Sequence, residues 1–479
     1  MVIWYLVSRE KPLRTPTYFV NLERGYRMYK ITNPATGQLV AEYPTATDDQ
    51  IREAIGRADK QFHEWKRAPL RDRIQMMHRT AELFAERTDE LAELITIEMG
   101  KRLEEAKGEL GVVVDIFKYY ADNAEKLLAD ENLVITGGEA VIRKSPVGVL
   151  IGIMPWNYPY YQVARFAAPN LLLGNTILLK HAPNCPSSSL AIEQLLRDAG
   201  VPSDAYINVF ATNEQVAWMI ADSRVQGVSL TGSERAGSAV AAEAGRNLKK
   251  VVLELGGSDP MVILDTDDIA ETVEIAVDSR MGNMGQACNA PKRMIVMGDI
   301  YEEFVDRLTR RMSEFTAGDP MIAETTLAPL CSAAAAEKLV QQIGQAVQQG
   351  AVVRTGGQIV PGTQTYLEAT VITDVKPGMD VHYEELFGPV AVVYRAESED
   401  EAIALANDTP YGLGSGVFST DHARAKKVGS QIDAGMVYLN QAGGSQADLP
   451  FGGIKRSGIG RELGYLGIEE FMNKKVIRL

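Results

Sequence analysis

Three cysteines occur in the chain, Cys185, Cys288 and Cys331, and one of them has the neighbours of a reactive thiol. Cys288 lies in Gly285-Gln-Ala-Cys-Asn, between a helical stretch and a strand, whereas Cys331 begins an alanine-rich helix. A thiolate nucleophile needs an accessible, electropositive setting, and the glycine and polar residues around Cys288 are less typical of a core. Cys288 is therefore the candidate nucleophile, and an inert buried cysteine is the alternative.

Two other segments carry groups that such a nucleophile would need. Glu254 lies between two leucines at the end of an apolar strand, where parallel sheets form ligand crevices. Desolvation there would raise the pKa of the Glu254 carboxyl, as a general base requires, although a carboxylate in a salt bridge is an equal alternative. In Met154-Pro-Trp-Asn-Tyr-Pro159 the prolines fix a loop, so the Asn157 amide is a candidate donor to a developing oxyanion. An ordinary rigid turn would explain the prolines equally well.

Two segments are rich in glycine, as nucleotide-binding loops are. In Leu230-Thr-Gly-Ser-Glu-Arg-Ala-Gly237, an apolar strand precedes and an alanine-rich helix follows. Gly232 would permit close backbone approach, and Ser233 would lie at a helix N-terminus, where amide hydrogens attract phosphate; a plain N-cap serine is the alternative. The segment 458–464 resembles Gly-x-Gly-x-x-Gly but is too close to the C-terminus for a βαβ unit, and it is interpreted as a turn.

Composition limits the partners. The 49 Lys and Arg residues against 63 Asp and Glu residues give a net charge of −14, which argues against non-specific binding of nucleic acid or anionic membranes. The sparse, odd cysteine count predicts a reducing, cytoplasmic location without disulfides. Five scattered histidines without CxxC or HExxH spacing predict no metal site. Residues 145–164 carry no charge, but their three prolines argue against a membrane-spanning helix.

The elements that must position these groups alternate in type. A capping-box pattern at Thr47 opens a helical region that extends to Leu128. Beyond it, short apolar runs alternate with helical stretches, which predicts an α/β fold with parallel sheets covered on both faces. Strands are expected at 147–153, 176–179, 207–210, 227–230, 251–253, 261–264, 294–296 and 391–394, and helices at 163–173, 187–199 and 235–246. Residues 1–27 are interpreted as an extension outside the core, with the functional chain beginning near Met28.

Taken together, these segments resemble the NAD(P)-dependent aldehyde dehydrogenase superfamily over about residues 28–479. Five motifs in the family's order carry the resemblance: Pro155-Trp-Asn-Tyr-Pro159, Leu253-Glu-Leu-Gly-Gly257, Gly285-Gln-Ala-Cys288, Glu384-Glu-Leu-Phe-Gly-Pro389 and Pro450-Phe-Gly-Gly-Ile-Lys-Arg-Ser-Gly458. The resemblance implies two Rossmann-like parallel-sheet domains and a small β oligomerisation arm. The implied bounds are 1–27 for the N-terminal extension, 28–137 with 149–255 for the cofactor-binding domain, 256–440 for the catalytic domain, and 138–148 with 441–479 for the arm and tail. The family further implies a homodimer or homotetramer in which the arm, at 140–147, pairs with the tail, at 474–477, between subunits.

The resemblance also implies a chemistry. Cys288 would attack the aldehyde carbonyl to give a thiohemiacetal, whose oxyanion the Asn157 side chain and the Cys288 backbone amide would hold. Hydride would pass to the nicotinamide and leave a thioester, which water activated by Glu254 would hydrolyse. A covalent adduct fixes the hydride donor against its acceptor, and one base serves the second half-reaction.

The same resemblance assigns the cofactor site. The implied cofactor-binding residues are Trp156, Lys180, His181, Pro183, Gly232, Ser233, Leu255, Glu385 and Phe387. Glu385 matches the glutamate on the nicotinamide ribose, Lys180 the lysine on the adenosine ribose, and Ser233 the pyrophosphate contact. Pro183 stands where NAD-preferring members usually have an acidic residue, so the repulsion of a 2′-phosphate is absent. Since His181 could add positive charge nearby, we expect NADP to be accepted, in preference to NAD.

The substrate is expected to be an aldehyde with a distal carboxylate. The segments Lys180-His-Ala-Pro-Asn and Gly460-Arg-Glu-Leu look like the succinate-semialdehyde dehydrogenase branch, which binds that carboxylate with arginine and serine. Arg165 and Ser445 match one arginine and the serine. A second arginine of some members is Gly282 here, and Arg280 is off register.

Three alternatives remain at this level. Arg165 could be a charge on the surface of a helix. The substrate could be another aliphatic or aromatic aldehyde, with Tyr158, Tyr160 and Tyr161 lining an aromatic tunnel. The chain could also be a non-catalytic structural relative, although the set of Asn157, Glu254 and Cys288 argues against this.

Overall fold

The structure is a computed structural model that describes residues 28–479, so the extension expected at residues 1–27 lies outside the described residues. The strands of this part of the chain form four sheets. Their bounds are β1 (Met28–Thr32), β2 (Leu39–Pro44), β3 (Glu131–Ile135), β4 (Gly138–Pro146), β5 (Val149–Met154), β6 (Thr176–His181), β7 (Tyr206–Asn208), β8 (Val225–Thr231), β9 (Lys250–Glu254), β10 (Pro260–Ile263), β11 (Arg293–Met297), β12 (Val352–Thr355), β13 (Thr370–Thr373), β14 (Val390–Ala396), β15 (Gly416–Phe418), β16 (Tyr438–Leu439), β17 (Gly458–Ile459) and β18 (Met472–Arg478).

Helices connect most of these strands. Their bounds are α1 (Asp48–Trp65), α2 (Leu70–Glu86), α3 (Thr88–Met99), α4 (Leu103–Asp122), α5 (Ala124–Leu128), α6 (Tyr161–Leu173), α7 (Pro186–Asp198), α8 (Asn213–Ala221), α9 (Glu234–Arg246), α10 (Ile269–Met281), α11 (Tyr301–Ser313), α12 (Ala333–Gln348), α13 (Asp380–Tyr383), α14 (Glu399–Asn407), α15 (His422–Gly429) and α16 (Gly464–Glu469). The capping box predicted at Thr47 is confirmed, because its side chain accepts from Gln50 N while the Gln50 side chain accepts from Thr47 N.

The first large sheet has six strands in the order β17-β9-β8-β5-β6-β7. All pairs are parallel except β17 with β9. Every residue of β6 is buried, as are all but one of β5, which is why these strands are nearly continuous apolar runs. The strands and helices predicted between residues 147 and 253 are confirmed.

The second large sheet has seven strands in the order β12-β13-β14-β11-β10-β15-β16, parallel apart from β12. It contains the strands predicted at 261–264, 294–296 and 391–394. Buried apolar residues from both faces of this sheet form one core cluster, separate from the two clusters around the first sheet. The predicted α/β class with two parallel sheets is therefore confirmed.

A third, antiparallel sheet has three strands in the order β18-β4-β3. Strand β4 pairs with β18 of its own chain, from Met472 opposite Pro146 to Arg478 opposite Ala140. The expectation that these two segments pair between subunits is therefore wrong: the tail completes the arm within one chain, because the residues after α16 lead directly alongside β4. Strand β3 also belongs to this sheet, although it precedes the implied start of the arm.

The segment at 458–464 is not simply a turn, as its glycines had suggested. It begins with β17, whose Gly458 lies opposite Glu254 in an antiparallel pair with β9. Gly458 has φ of 142°, and a Cβ there would collide with the backbone of Leu253. Glycine at this position thus lets the C-terminal segment approach the end of β9 closely.

Among residues 28–479, no helix has both the length and the apolar character needed to cross a bilayer. The same range contains no group of three or more His, Cys, Asp or Glu side chains that could hold a metal ion.

Candidate active site

The candidate nucleophile lies on a loop with an unusual backbone path. Directly after α10, Asn283 and Met284 adopt φ of 51° and 53°, in the left-handed region that side chains with a Cβ disfavour. The Asn283 side chain holds the loop together, since its Nδ2 donates to the Asn157 carbonyl at 3.0 Å and to the Gln286 carbonyl at 3.2 Å. The loop leading to Cys288 is thereby tied to the segment after β5.

Cys288 borders a cavity of about 370 Å³. Tyr158, Tyr161, Gln162, Ser445 and Phe451 are among the other side chains of its wall. Burial raises the pKa of the Cys288 thiol to about 11, and the nearby cations Arg165 and Lys292 oppose that rise. The resting group is thus a thiol, which must lose its proton before it attacks a carbonyl.

Asn157 is brought to the same loop. Its side chain is 5% exposed, and its Nδ2 donates to the Gln286 carbonyl at 3.0 Å, two residues before Cys288. The amide is therefore fixed beside the nucleophile loop by a hydrogen bond of its own and by the Asn283 bridge. This placement fits a donor to an oxyanion formed at Cys288.

Glu254 is a buried carboxyl without a partner. It lies at the end of β9, is 2% exposed, and neither of its carboxylate oxygens has a hydrogen-bond partner among the described residues. Burial raises the pKa of Glu254 well above its ordinary value, and the charge of Arg165 opposes this only in part. The alternative of a salt-bridged strand end is wrong for residues 28–479, whereas the predicted desolvation is present.

One wall of the cavity carries a chain of polar groups. The Tyr161 hydroxyl donates to Ser445 Oγ at 2.6 Å and accepts from the Arg165 guanidinium at 3.3 Å. Arg165 is fully buried behind Tyr161, with its Nε 2.7 Å from the Glu462 carboxylate. The alternative of a surface charge on a helix is therefore wrong, and Arg165 reaches the cavity through Tyr161 rather than forming its wall.

Only some of the other side chains predicted near the substrate line the cavity. Tyr158 and Tyr161 line it, but Tyr160 does not: it is fully buried and its ring packs against Phe84. Gly282, which stands where some family members have a second arginine, borders the cavity. Arg280 is turned away, since it donates to backbone carbonyls at the beginning of β14, among them Val390 at 2.8 Å.

The predicted cofactor residues lie along the carboxyl edge of the six-stranded sheet. Gly232 N donates to the Glu254 carbonyl at 2.9 Å, so β8 and β9 end side by side. Ser233 is the N-cap of α9, which confirms the capping alternative, and the same helix end presents the positive pole of the helix dipole. Lys180, at the end of β6, is nearly buried, and burial lowers its pKa to about 8. A buried ammonium without an ion pair among the described residues, on the same sheet edge as a helix N-terminus, suits a nucleotide sugar and its phosphates.

The other predicted cofactor residues come from both sheets, since Trp156 and Leu255 follow β5 and β9, whereas Glu385 and Phe387 precede β14 of the second sheet. The Glu385 carboxylate accepts a hydrogen bond from Gly257 N at 3.0 Å. The rings of Trp156 and Phe387 meet edge to face with centroids 5.9 Å apart. Leu255 is buried, and its backbone N donates to the Ser457 carbonyl at 2.8 Å. These residues and the Lys180 edge together fit NAD or NADP in the crevice.

Residues 20–477 match the Aldehyde dehydrogenase family. The chain belongs to the aldehyde dehydrogenase family. A relative named succinate-semialdehyde dehydrogenase, NADP(+), from Deinococcus radiodurans is 52% identical over 455 residues, which are 95% of each chain.

Solved aldehyde dehydrogenases agree with the fold. The crystal structure of succinic semialdehyde dehydrogenase from Streptococcus pyogenes, in complex with NADP+, is 40% identical with a TM-score of 0.93, covering 94% of this chain and 99% of that one. Betaine aldehyde dehydrogenase from Staphylococcus aureus, in complex with NAD+, is 32% identical with a TM-score of 0.91, covering 94% and 91%.

In this aldehyde dehydrogenase, His181 cannot add positive charge to the cofactor site. The ring is fully buried, Nε2 lies 3.0 Å from the Pro159 carbonyl, and burial lowers the pKa of His181 to about 4. The expectation of a charged His181 is therefore wrong, and its physical role is to tie β6 to the loop that carries Asn157. Pro183 borders the N-terminal hairpin, because its carbonyl accepts from Lys30 N at 2.9 Å.

Sequence reasoning missed the ionic groups that support this aldehyde dehydrogenase site from behind. Lys101 and Glu109 form a fully buried pair at 2.5 Å, and Glu109 also accepts from Tyr160 N and Tyr161 N at the beginning of α6. Lys292 is buried four residues after Cys288. Two consecutive basic residues so close to a candidate nucleophile were the available signal for Lys292; no comparable signal marks the Lys101 pair.

Proposed function

We propose that this aldehyde dehydrogenase oxidises succinate semialdehyde to succinate, with NADP+ as the preferred electron acceptor. The observation that carries the proposal is the cavity in which the Cys288 thiol faces a polar wall of Ser445 and Tyr161, with Arg165 behind them. A substrate with an aldehyde at one end and a carboxylate at the other matches that arrangement. The names of the relatives from Deinococcus radiodurans and Streptococcus pyogenes support it.

In the first half-reaction, the Cys288 Sγ releases its proton to solvent water and attacks the aldehyde carbon, giving a thiohemiacetal whose oxygen carries the negative charge. Asn157 Nδ2 and the Cys288 backbone amide are placed to donate to the oxygen of that adduct. When bound in the crevice, the nicotinamide would supply the hydride acceptor that this oxidation of the thiohemiacetal to a thioester requires. Covalent attachment keeps the reacting carbon in place while this happens.

In the second half-reaction, the ionised form of Glu254 takes a proton from a water molecule, whose oxygen attacks the thioester carbon. The carbon–sulfur bond breaks, the acid leaves, and the proton returns to the Cys288 sulfur or to solvent. A carboxyl with a raised pKa and no competing hydrogen bond is suited to this transfer. A coenzyme A acceptor would not need this base, so Glu254 favours hydrolysis.

The cofactor residues are proposed as a group. Lys180 and Glu385 would hold the two riboses, Ser233 with Gly232 the pyrophosphate, and Trp156, Leu255 and Phe387 the walls of the crevice. Pro183 supports NADP because no carboxylate there repels a 2′-phosphate. His181 contributes only by holding the loop.

The covalent role is tested by replacing the sulfur. Cys288→Ser is expected to lose aldehyde turnover, and a thiol probe should label Cys288 in the parent protein with protection by aldehyde plus cofactor. Turnover by Cys288→Ser at the parent rate would refute the mechanism, whereas a parent protein that oxidises no aldehyde would make the non-catalytic relative the better description.

The substrate is tested by kinetics with both cofactors. Ser445→Ala is expected to lower kcat/KM for succinate semialdehyde by about 10- to 100-fold, because a hydrogen bond to a charged group contributes about 1.5–3 kcal/mol, and to change a neutral aldehyde of similar length far less. Arg165→Ala is expected to raise KM in the same selective way. Equal effects on both aldehydes would contradict the proposed contact between these residues and the substrate carboxylate.

The cofactor preference is tested by comparing NAD with NADP. A kcat/KM that favours NAD by more than about tenfold, or roughly 1.4 kcal/mol, would contradict it.

A second candidate is a broader aliphatic or aromatic aldehyde. The rings of Tyr158 and Tyr161 in the cavity wall, 6.0 Å apart between centroids, favour it. Comparable kcat/KM for benzaldehyde and succinate semialdehyde would select this candidate.

We further infer a cytoplasmic homodimer or homotetramer. The three cysteines are all free, as expected in a reducing compartment. In the arm sheet, Val134 and Val476 are largely exposed on its two edge strands, which are the features that a second subunit would cover. Sedimentation of the full chain would distinguish dimer, tetramer and monomer.

A further inference from the structure

Lys292 is a buried cation that the proposed reaction leaves without a role. Its side chain is 1% exposed, and Nζ donates to the Ala287 carbonyl at 2.8 Å and to the Cys288 carbonyl at 2.6 Å. An ammonium has three donors, and the Glu385 carboxylate lies 3.6 Å from Nζ. Burying a cation costs free energy unless partners offset it, and here two of the partners are the carbonyls of the nucleophile and its predecessor.

The surrounding backbone is built for this contact. A Cβ on Gly257 would lie 2.6 Å from the Cys288 carbonyl oxygen, so only glycine allows the two segments to approach. Gly257 N in turn donates to the same Glu385 carboxylate. Lys292, the Cys288 carbonyl, Gly257 and Glu385 thus form one cluster of contacts at the backbone of the nucleophile.

We propose that Lys292 is a positioning residue for the nucleophile: its ammonium fixes the carbonyl end of the Cys288 loop and places a positive charge behind the thiol, and Glu385 moderates that charge. The proposal rests on the proposed role of Cys288 and adds a residue to it. Because Glu385 is also the proposed ribose ligand, this cluster connects the cofactor crevice with the residue that carries the sulfur.

The charged and titratable groups that face the thiol come from several elements. They are Arg165, Lys292, Glu385, Asp259, Tyr158 and Tyr161. Arg165 and Lys292 lower the pKa of Cys288, whereas Glu385 and Asp259 raise it. Lys292 itself is faced by Glu385, Asp259, Arg280 and Cys288, and burial lowers its own pKa. Removing Lys292 should therefore favour the thiol, and removing the Glu385 carboxylate should favour the thiolate.

The test is the pH dependence of alkylation at Cys288, measured without aldehyde or cofactor. Iodoacetamide is the probe, and the labelled Cys288 peptide is quantified by mass spectrometry so that Cys185 and Cys331 do not contribute. Lys292→Met should move the rate profile to higher pH and slow alkylation by about tenfold below its midpoint if the pKa rises by one unit. Lys292→Arg, which keeps the charge, should restore most of the parent rate.

Two further variants separate charge from folding. Lys249 makes the same kind of contact far from the site, donating to the Asp222 and Val225 carbonyls at 3.1 and 2.6 Å, so Lys249→Met should leave the alkylation profile unchanged. Glu385→Gln should shift the profile to lower pH, opposite to Lys292→Met, and it keeps the proposal testable if Lys292→Met does not fold.

The outcomes are distinct. Opposite shifts for Lys292→Met and Glu385→Gln, with rescue by Lys292→Arg, support the proposal. A Lys292→Met profile equal to the parent, or a Glu385→Gln profile that does not move down, overturns it. Alkylation needs no aldehyde, so a negative result leaves the proposed oxidation standing, and failure of succinate semialdehyde as a substrate leaves this result standing.

Discussion

Two buried carboxyls of the candidate site differ in nearly everything but burial: Glu109 lines the cavity, and Glu254 lies at the end of β9. Glu109 accepts the Lys101 ammonium on one oxygen and two backbone amides on the other. Glu254, as deeply buried, has no hydrogen-bond partner for either oxygen among the described residues. A buried charge is tolerated when it is paired and hydrogen-bonded, and otherwise holds its proton. Burial alone does not mark a reactive carboxyl; burial without partners does.

The two carboxyls also act on different parts of the site. Glu109 fixes the beginning of α6, the helix that carries Tyr161 and Arg165, and Lys101 lies over the Tyr158 ring at 3.6 Å. Glu254 holds no element in place through its side chain and has a raised pKa. We therefore expect changes to the Lys101–Glu109 pair to affect stability and substitutions of Glu254 to affect turnover.

The largest expected effect is on turnover in Glu254→Gln. Steady-state oxidation should fall by about 10²- to 10⁴-fold, because a positioned general base contributes that much. A stopped-flow burst of reduced nicotinamide should remain, since the proposed first half-reaction does not use Glu254. Loss of the burst together with turnover would show that Glu254 also takes the Cys288 proton.

A matched control exists for that variant. Glu193 is a partly buried carboxyl that accepts from Asn208 N and pairs with Arg197, remote from the cavity. Glu193→Gln should keep the parent turnover. A comparable loss in both variants would mean that the effect comes from disturbed folding.

The next effect is on stability in Lys101→Met. It leaves the Glu109 carboxylate buried without its cation, which should lower the free energy of unfolding by about 3–5 kcal/mol. Urea denaturation followed by circular dichroism measures this. Lys107→Met, which removes a cation of the Glu109 helix α4 that is in an exposed pair with Asp89, should change stability much less. Similar losses in both lysine variants would contradict the comparison.

The smallest expected effect is a pH dependence of stability at Glu254. Burial raises the folded-state pKa of Glu254 above its unfolded value near 4.5, so the folded chain holds a proton that the unfolded chain has released. The parent therefore loses stability relative to Glu254→Gln as pH rises above about 4.5, until the folded pKa is passed. Denaturant midpoints at several pH values measure the difference, and a constant difference from pH 4 to 8 would be evidence against the raised pKa.

Much of the fold was predictable because apolar strands and capped helices are local signals. The run from Val149 to Met154 and the Thr47 capping box appear in the structure as expected. The desolvation of Glu254 was also predictable, from two leucines at a strand end. Features that depend on residues close together in sequence can thus be predicted from short motifs.

Contacts between distant segments were not predictable in the same way. His181 follows Lys180 directly, but its neutral state depends on burial in the folded chain, which lowers its pKa to about 4. Arg165 looked like a carboxylate ligand, yet its closest partner is Glu462, almost three hundred positions later. Such pairings are set by tertiary packing, which a local pattern does not contain.

The Ser457 hydroxyl donates to the Gly256 carbonyl and accepts from Gly412 N, and β17 follows at once along the edge of β9. The two large sheets are thus joined by residues that follow β9 at a long distance in sequence. During synthesis this edge of β9 stays uncovered until that segment has been made, and contacts so far apart in sequence form late. A nascent chain halted before residue 455 would carry the nucleophile and the base but lack Ser457 and β17, which join the two sheets.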